Sequence, residues 1–281
     1  MARAKAISLL QAAGEKGDLK EIYGIVIDNI KKDTLSGVLK SQNYTGNPAA
    51  GSVEFKRLAN SQANDYGTAR AAGKGDPLKG APVTVKLDKH KEIVEEIEKF
   101  DLETYGVPSI IARRAANHID TAVTTLDRAF FTVADKAATK VTPESSDPMA
   151  QLEELILTLE TTKNDYTDGV PRDMIAVVLS SGYYSTVRTK LDSVPNSNVD
   201  TAAEEFGTWH GVKIYSSLRL PEGTKALTMP FGAVGEPVVF NEYGEPMRVP
   251  LSNAYEVSLF FDYGAEALTP DLIFKLEEDK V

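Results

Sequence analysis

PSIIARRAANHIDTAVTTLDRAFFTVADKA, residues 108–137, decides how the rest of the chain is read. Ile111, Ala115, Ile119, Ala122, Leu126, Ala129 and Val133 step by four and three residues, which keeps one side of a helix apolar over several turns. Ser109 is the expected N-cap, Gly106 and Pro108 punctuate the entrance, and no proline or glycine interrupts the run. At ~1.5 Å per residue such a helix spans on the order of 45 Å, more than twice the roughly 19 Å radius of gyration of a compact chain this long. It should run across the whole molecule. Periodicity alone describes an ordinary buried core helix; the segments on either side suggest more.

The chain has 281 residues, 42% hydrophobic and 26% charged, which is the composition of a globular protein with a sizeable core in one large or two modest domains. A net charge of −10 argues against broad attraction to nucleic acid or anionic lipid, although a local basic patch remains open. Without cysteine there is no disulfide framework, thiol nucleophile or thiolate metal site. The opening MARAKAISLLQAAGEKGD carries Arg3 and Lys5, but its apolar run is too short for a signal peptide, and no run reaches membrane-spanning length. The reading is a cytoplasmic protein, in which the sequon Asn43-Tyr44-Thr45 is chance.

Residues 4–13 and 18–40 are expected to be helical, the second opening with a capping box from Asp18 to Glu21 and presenting Leu19, Ile22, Val26, Ile30 and Leu35. These first 40 residues could form an arm, and QNYTGNPAAGS after them is a loop by composition. Val53 and Phe55 then alternate with Glu54 and Lys56, and Val83, Val85 and Leu87 with Thr84, Lys86 and Asp88, which marks two strands. Residues 59–81 between them are rich in Gly, Ala, Asn and Lys and offer little to bury. The expectation is a long hairpin with a soft tip, its arms of ~15 residues reaching about 45 to 50 Å. An isolated hairpin is marginal in water, so one this long needs another surface, for which a neighbouring copy is the candidate; a mobile surface loop is the alternative.

Residues 88–103 read as an amphipathic helix with Ile93, Val94, Ile97 and Phe100 inward and an acidic exterior. The hairpin region is basic by contrast. We therefore expect two assembly surfaces: Arg57, Arg70, Lys74 and Lys79 on the extended loop, and Glu92, Glu95, Glu96, Glu98, Asp101 and Glu103 before the long helix, their complementarity guiding register more than supplying affinity.

After the long helix, KVTPESSD is a linker and Asp147-Pro148 starts a helix to about Thr161, with Leu152, Leu155, Ile156 and Leu159 inward. NDYTDGVPRD turns into a buried strand at 174–179, followed by a helix at 181–191 and a long loop at 191–208. Strands are expected at 212–216, 225–229, 237–240, 247–249, 255–263 and 272–276, with Tyr255, Val257, Leu259, Phe261 and Tyr263 sharing one face.

The common catalytic constellations are missing. Gly67-TARAA-Gly73-Lys74-Gly75 has the wrong spacing for a phosphate loop and no Ser or Thr after the lysine. NDYTDG has Tyr166 and Ile175 where a calcium loop needs oxygen ligands, so it is a turn. There is no HExxH, Ser180-Ser181-Gly182 lacks the leading glycine of a nucleophile elbow, and His90, His118 and His210 fall on separate elements. Acid/base pairs formed across the fold stay open, and no cofactor or metal is expected.

The order of parts resembles the major capsid protein of tailed double-stranded DNA bacteriophages. SVEFKRLANSQANDYGTARAAGKGDPLKGAPVTVKLDKHK is similar to that family's extended loop and return strand, and IARRAANHIDTAVTTLDRAFF to its spine helix. GVPRDMIAVVLSSGYYSTV, GTWHGVKIYSSLRLPEG and DYGAEALTPDLIFKL resemble segments of its axial domain and C-terminal return. The resemblance runs from about residue 40 to the end, and its specificity lies in the order of the motifs.

It implies an α+β protein of the Hong Kong 97-type capsid fold: an N-terminal arm at 1–52, an extended hairpin loop at 53–87, a peripheral domain at 88–141 and 252–281 with its spine helix at 109–137, and an axial domain at 142–251. It also implies a structural protein without enzymatic activity, self-assembling into pentamers and hexamers of an icosahedral head that encloses double-stranded DNA without sequence-specific contacts. The implied partners are a separate scaffolding protein, portal and head-tail connector proteins, and the location is the virion, assembled in the host bacterial cytoplasm. A bacterial nanocompartment shell of the encapsulin type is the alternative, and a cytoplasmic α+β enzyme with residues 59–81 as lid is the second.

Overall fold

In a computed structural model that describes residues 19–61, 65, 67, 80–98, 107–193, 207–240, 247–250 and 254–278, Val107–Ala137 forms one uninterrupted helix of 31 residues. Ser109 lies inside its first turn and does not cap it, a correction of the expected start; Pro108 is tolerated there because first-turn amides have no intrahelical acceptor. The helix serves two apolar clusters in succession. Ala115, Ile119, Ala122, Val123 and Leu126 belong to one, and Phe130, Phe131 and Ala134 to the other.

Ahead of it run α1 (Leu19–Asp33) and the short α2 (Leu35–Leu39), after which the long helix is α3. The sequence suggested one helix over 18–40. It breaks at Thr34, whose backbone is extended and whose hydroxyl turns back to donate to Ile30 O at 3.0 Å, while the α2 amides of Leu35 and Ser36 find an acceptor on α3 in Asp127. Val26, Ile27 and Ile30 of α1 are buried in the same cluster as the first half of α3. Residues 4–13 lie outside the described residues.

The hairpin pairs β1 (Ser52–Leu58) with β2 (Gly80–Lys86) in an antiparallel register from Ser52↔Lys86 to Leu58↔Gly80. Its period-two pattern turns Val53, Phe55 and Val85 inward, where they form a small cluster with Leu268. The base of the hairpin thus rests on its own chain, contrary to the expectation that the whole of it needs a foreign surface; most of 59–79 lies outside the described residues.

The next segment corrects the reading of an acidic helix. Lys89–Ile97 is a strand, β3, and β14 (Tyr255–Tyr263) pairs with it along all nine positions, from Tyr255↔Ile97 to Tyr263↔Lys89. KHKEIVEEI fits a helix by its glutamates and lysines and a strand by the alternation Ile93, Glu95, Ile97; the partner strand decides between them. β12 (Val238–Phe240) and β13 (Met247–Arg248) complete this sheet on the other edge of β14. Leu259, Phe261 and Tyr263 are buried toward α1 and α3, as their shared face predicts.

The second sheet has six strands in the order β4 (Thr139–Lys140), β16 (Phe274–Glu277), β10 (Thr224–Pro230), β7 (Ile175–Ser180), β9 (Val212–Ser217) and β8 (Thr208–Trp209). β7 is apolar from Ile175 to Leu179 because both its faces are covered there. Ile175, Val177 and Leu179 meet Leu152, Leu155, Ile156 and Leu159 of α4 (Pro148–Glu160) and Val187 of α5 (Ser181–Ser193), and Ala176 and Val178 meet Phe130 and Phe131 of α3. Asp147 caps α4 as read, accepting from Ala150 N at 3.3 Å. The NDYTDG turn joins β5 (Lys163–Asn164) to β6 (Thr167–Asp168), with Asn164 Oδ1 accepting from Tyr166 N and Thr167 N. The chain closes locally through β11 (Val234–Gly235) and β15 (Glu266–Ala267). Of the expected 191–208 loop, 194–206 lie outside the described residues.

Candidate assembly surfaces

The root of the hairpin is locked to its own body at several points. Phe55 lies edge-on to Tyr44 with ring centroids 5.8 Å apart, and a Cβ at Gly235 would come within 2.8 Å of the Phe55 ring, so glycine is what lets the strand seat. Arg57, expected to reach another copy, instead pairs with Asp271 of its own chain through both guanidinium nitrogens, at 2.5 and 2.8 Å, and stacks over Tyr166 at 4.0 Å. The Arg57 guanidinium holds the Asp271 carboxyl below its usual range, and Asn164 Nδ2 donates to the same carboxylate. Arg70, Lys74 and Lys79 lie outside the described residues.

The acidic residues divide by strand parity. Glu95 points inward, where Arg114 of α3 donates to both its oxygens and His118 Nε2 lies 3.0 Å away. Arg114 first, with His118 assisting, holds the Glu95 carboxyl below the ordinary value against the opposing effect of burial. Burial pushes His118 of α3 down, against the opposing pull of Glu95. Glu92 and Glu96 of β3, and Glu98 just past its end, are exposed on the outward side. In register across the sheet, Glu96 stands opposite Glu256 and Glu92 opposite Phe260, with Val94 46% and Phe260 36% exposed. Like charges directly opposed on neighbouring strands are unfavourable, so the Glu96/Glu256 pairing is a repulsive one on a face that also exposes apolar groups. The structure therefore brings Glu92, Glu96 and Glu98 together and removes Glu95; Asp101 and Glu103 lie outside the described residues.

Three polar clusters, two of them buried, escaped the sequence reading. Asp127 is fully buried on α3, accepting from the α2 amides and from Arg219 Nη1 at 2.6 Å; an aspartate on the apolar stripe, next to Leu126, was the visible signal. Glu153 of α4 accepts from Arg172 Nη2 at 2.5 Å and Trp209 Nε1 at 2.8 Å, with His210 Nδ1 at 3.1 Å. Burial works to raise it, yet these partners keep the Glu153 carboxyl below its usual value. His210 and Gly211, both at positive φ of 45° and 90°, form the two-residue turn between β8 and β9. The third cluster is Glu236 with Lys40, in a cavity of about 420 Å³ lined also by Lys31, Leu126 and Phe240; no residue of 53–58 or 80–87 lines it. Among the described residues no three of His, Asp and Glu gather as metal ligands, and no helix is long and apolar enough to cross a membrane.

No protein-family model matches the sequence, and no curated protein matches it. Solved structures do. The chain is similar to one from Mycobacterium phage Che8, with TM-score 0.60 and 18% identity over 85% of this chain and 93% of that one. The capsid structure of the cyanophage P-SCSP1u matches with TM-score 0.61 and 14% identity over 88% and 89% of the two chains. A virus-like particle from Pyrococcus furiosus matches with TM-score 0.56 and 12% identity, covering 92% and 98%. The α+β capsid fold of the Hong Kong 97 type, implied by the sequence resemblance, is the fold of this chain.

Proposed function

We propose that this chain is the major capsid protein of a tailed double-stranded DNA bacteriophage, a structural protein without enzymatic activity whose copies assemble as pentamers and hexamers into an icosahedral head. The observation that carries the reading is the likeness in fold to the cyanophage capsid over 88% of this chain and 89% of that one. In this reading 1–52 is the arm, 53–87 the extended loop, 88–141 and 252–281 the peripheral domain and 142–251 the axial domain.

The hairpin beyond Leu58, with Arg70, Lys74 and Lys79, is assigned to the outward acidic face of a neighbour formed by Glu92, Glu96 and Glu98, where Glu92 and Glu96 stand opposite Phe260 and Glu256 rather than basic residues. Arg57 has no part in that contact, being committed to Asp271. The further partners are a separate scaffolding protein, portal and connector proteins, and packaged DNA held without sequence-specific contacts, to which a net charge of −10 is suited. The location is the virion, with assembly in the host bacterial cytoplasm. The likeness to the Pyrococcus furiosus virus-like particle supports a second reading, a nanocompartment shell of the encapsulin type.

Size-exclusion chromatography with negative-stain microscopy tests the proposal. Capsomers, rings or shells are expected, and their contents, nucleic acid or enzyme cargo, separate the two readings. A globular particle of 30.5 kDa at every concentration overturns both. Reversing Lys74 and Lys79 to Glu should weaken assembly most at low salt; unchanged assembly removes the hairpin-to-acidic-face contact.

A further inference from the structure

Glu236 is 2% exposed, between β11 and β12, and neither of its carboxylate oxygens has a hydrogen-bond partner among the described residues. Its nearest opposite charge is Lys40 Nζ at 3.8 Å, close enough for Coulombic attraction and too far for a hydrogen bond. The Ser36 hydroxyl sits near enough to favour the charged form, yet is itself without a hydrogen-bond partner among the described residues. A buried carboxylate in this setting bears its full desolvation cost, whereas a neutral carboxyl bears much less. Burial accordingly pushes the Glu236 carboxyl up to about 7, with Lys40 and Lys89 of β3 opposing and Asp127 of α3 adding to the rise. Lys40 is itself lowered by burial, and Lys31 of α1 lowers it further.

The pair spans a mechanical junction. Lys40 caps α2, and on either side of it Leu39 O accepts from Gly232 N at 2.8 Å and Ser41 N donates to Val234 O at 2.9 Å. Four residues later Thr45 bridges Glu54 of β1, so the segment that Lys40 belongs to leads directly into the hairpin root. Cavity space with both polar and apolar walls adjoins the pair, which gives the segment room to shift.

We propose that Glu236 is the proton-binding half of a latch that seats residues 39–44 on the body of the protein, closed when the carboxyl is neutral and loosened when it ionises. Only the consequence for the hairpin, a change in the angle at which its root leaves the body, rests on the assembly reading; the latch itself does not.

In the open state Glu236 titrates near its ordinary 4.5, so the stabilisation is complete below that pH and lost as pH rises through about 7. The opening constant of the latch should therefore rise by up to about tenfold per pH unit between those values and then level off. Amide exchange at Ser41 and Gly232 on the full chain, corrected for intrinsic rates, reads this directly, and the 13C shift of the Glu236 carboxyl reads the proton. Glu236→Gln should abolish the slope, while Lys40→Met, which removes a favourable positive neighbour, should move the break to higher pH. An unchanged slope in Glu236→Gln, or a Glu236 carboxyl titrating near 4.5 in the unmodified chain, overturns the latch; the second measurement needs no variant to fold. Both readouts work on chain that fails to form shells, and a shell-forming chain with an ordinary Glu236 loses the latch while keeping the capsid reading.

Discussion

Replacing Asp127 with alanine takes the acceptor away from two α2 amides and leaves the Arg219 guanidinium facing a buried gap. Losing one partner of a buried, hydrogen-bonded charge pair costs roughly 3 to 5 kcal/mol, a loss that urea denaturation of the unassembled chain should show. Glu95 and Glu236 make a contrasting pair at the same scale. The folded-state value of Glu95 is depressed, so its tie to Arg114 contributes fully above about pH 4.5 and is lost as pH falls through the lowered value. Acid titration followed by exchange at the β3 amides should therefore loosen the β3 to α3 contact below pH 4.5, where the Glu236 latch is tightest. A Glu95→Gln variant that leaves this acid response unchanged would show that another carboxyl governs it.

Among the elements, the hairpin root depends on close backbone approaches. A Cβ at Gly264, just past the end of β14, would fall 1.9 Å from Lys86 O at the end of β2, and a carbonyl of a paired strand cannot swing away as a side chain can. Gly264→Ala should cost at least about 1 to 3 kcal/mol by overpacking, more than Gly235→Ala, where the obstacle is the movable Phe55 ring. Faster exchange at Leu87 N, which donates to Gly51 O at 2.9 Å, would place the damage at the root. How much of this was legible depends on how local each signal is. The long helix, the β7 run, the Asp147 cap and the Asn164 turn each carry their cause within a few residues, and the sequence reading matched them. β3 misled because its side chains suit two structures, and the strand that selects one of them begins at Tyr255. The break at Thr34 depends on Asp127, 92 residues from Leu35, and no local pattern announces it.

For the whole molecule, the assembly role proposed for the outward acidic face would set stability of the single chain against association. Glu96→Lys replaces the Glu96/Glu256 repulsion with a cross-strand ion pair, worth about 0.2 to 1 kcal/mol to the isolated chain, and should at the same time reduce assembly. Denaturation midpoint and particle yield are then expected to move in opposite directions; parallel movement would detach this face from association. The six-stranded sheet adds a constraint of timing. β16, the last strand in chain order, lies between β4 and β10, so those two strands remain unjoined until residues 274–277 have been made. Until then the sheet has an open seam, with β4 and one edge of β10 each lacking the strand that joins them.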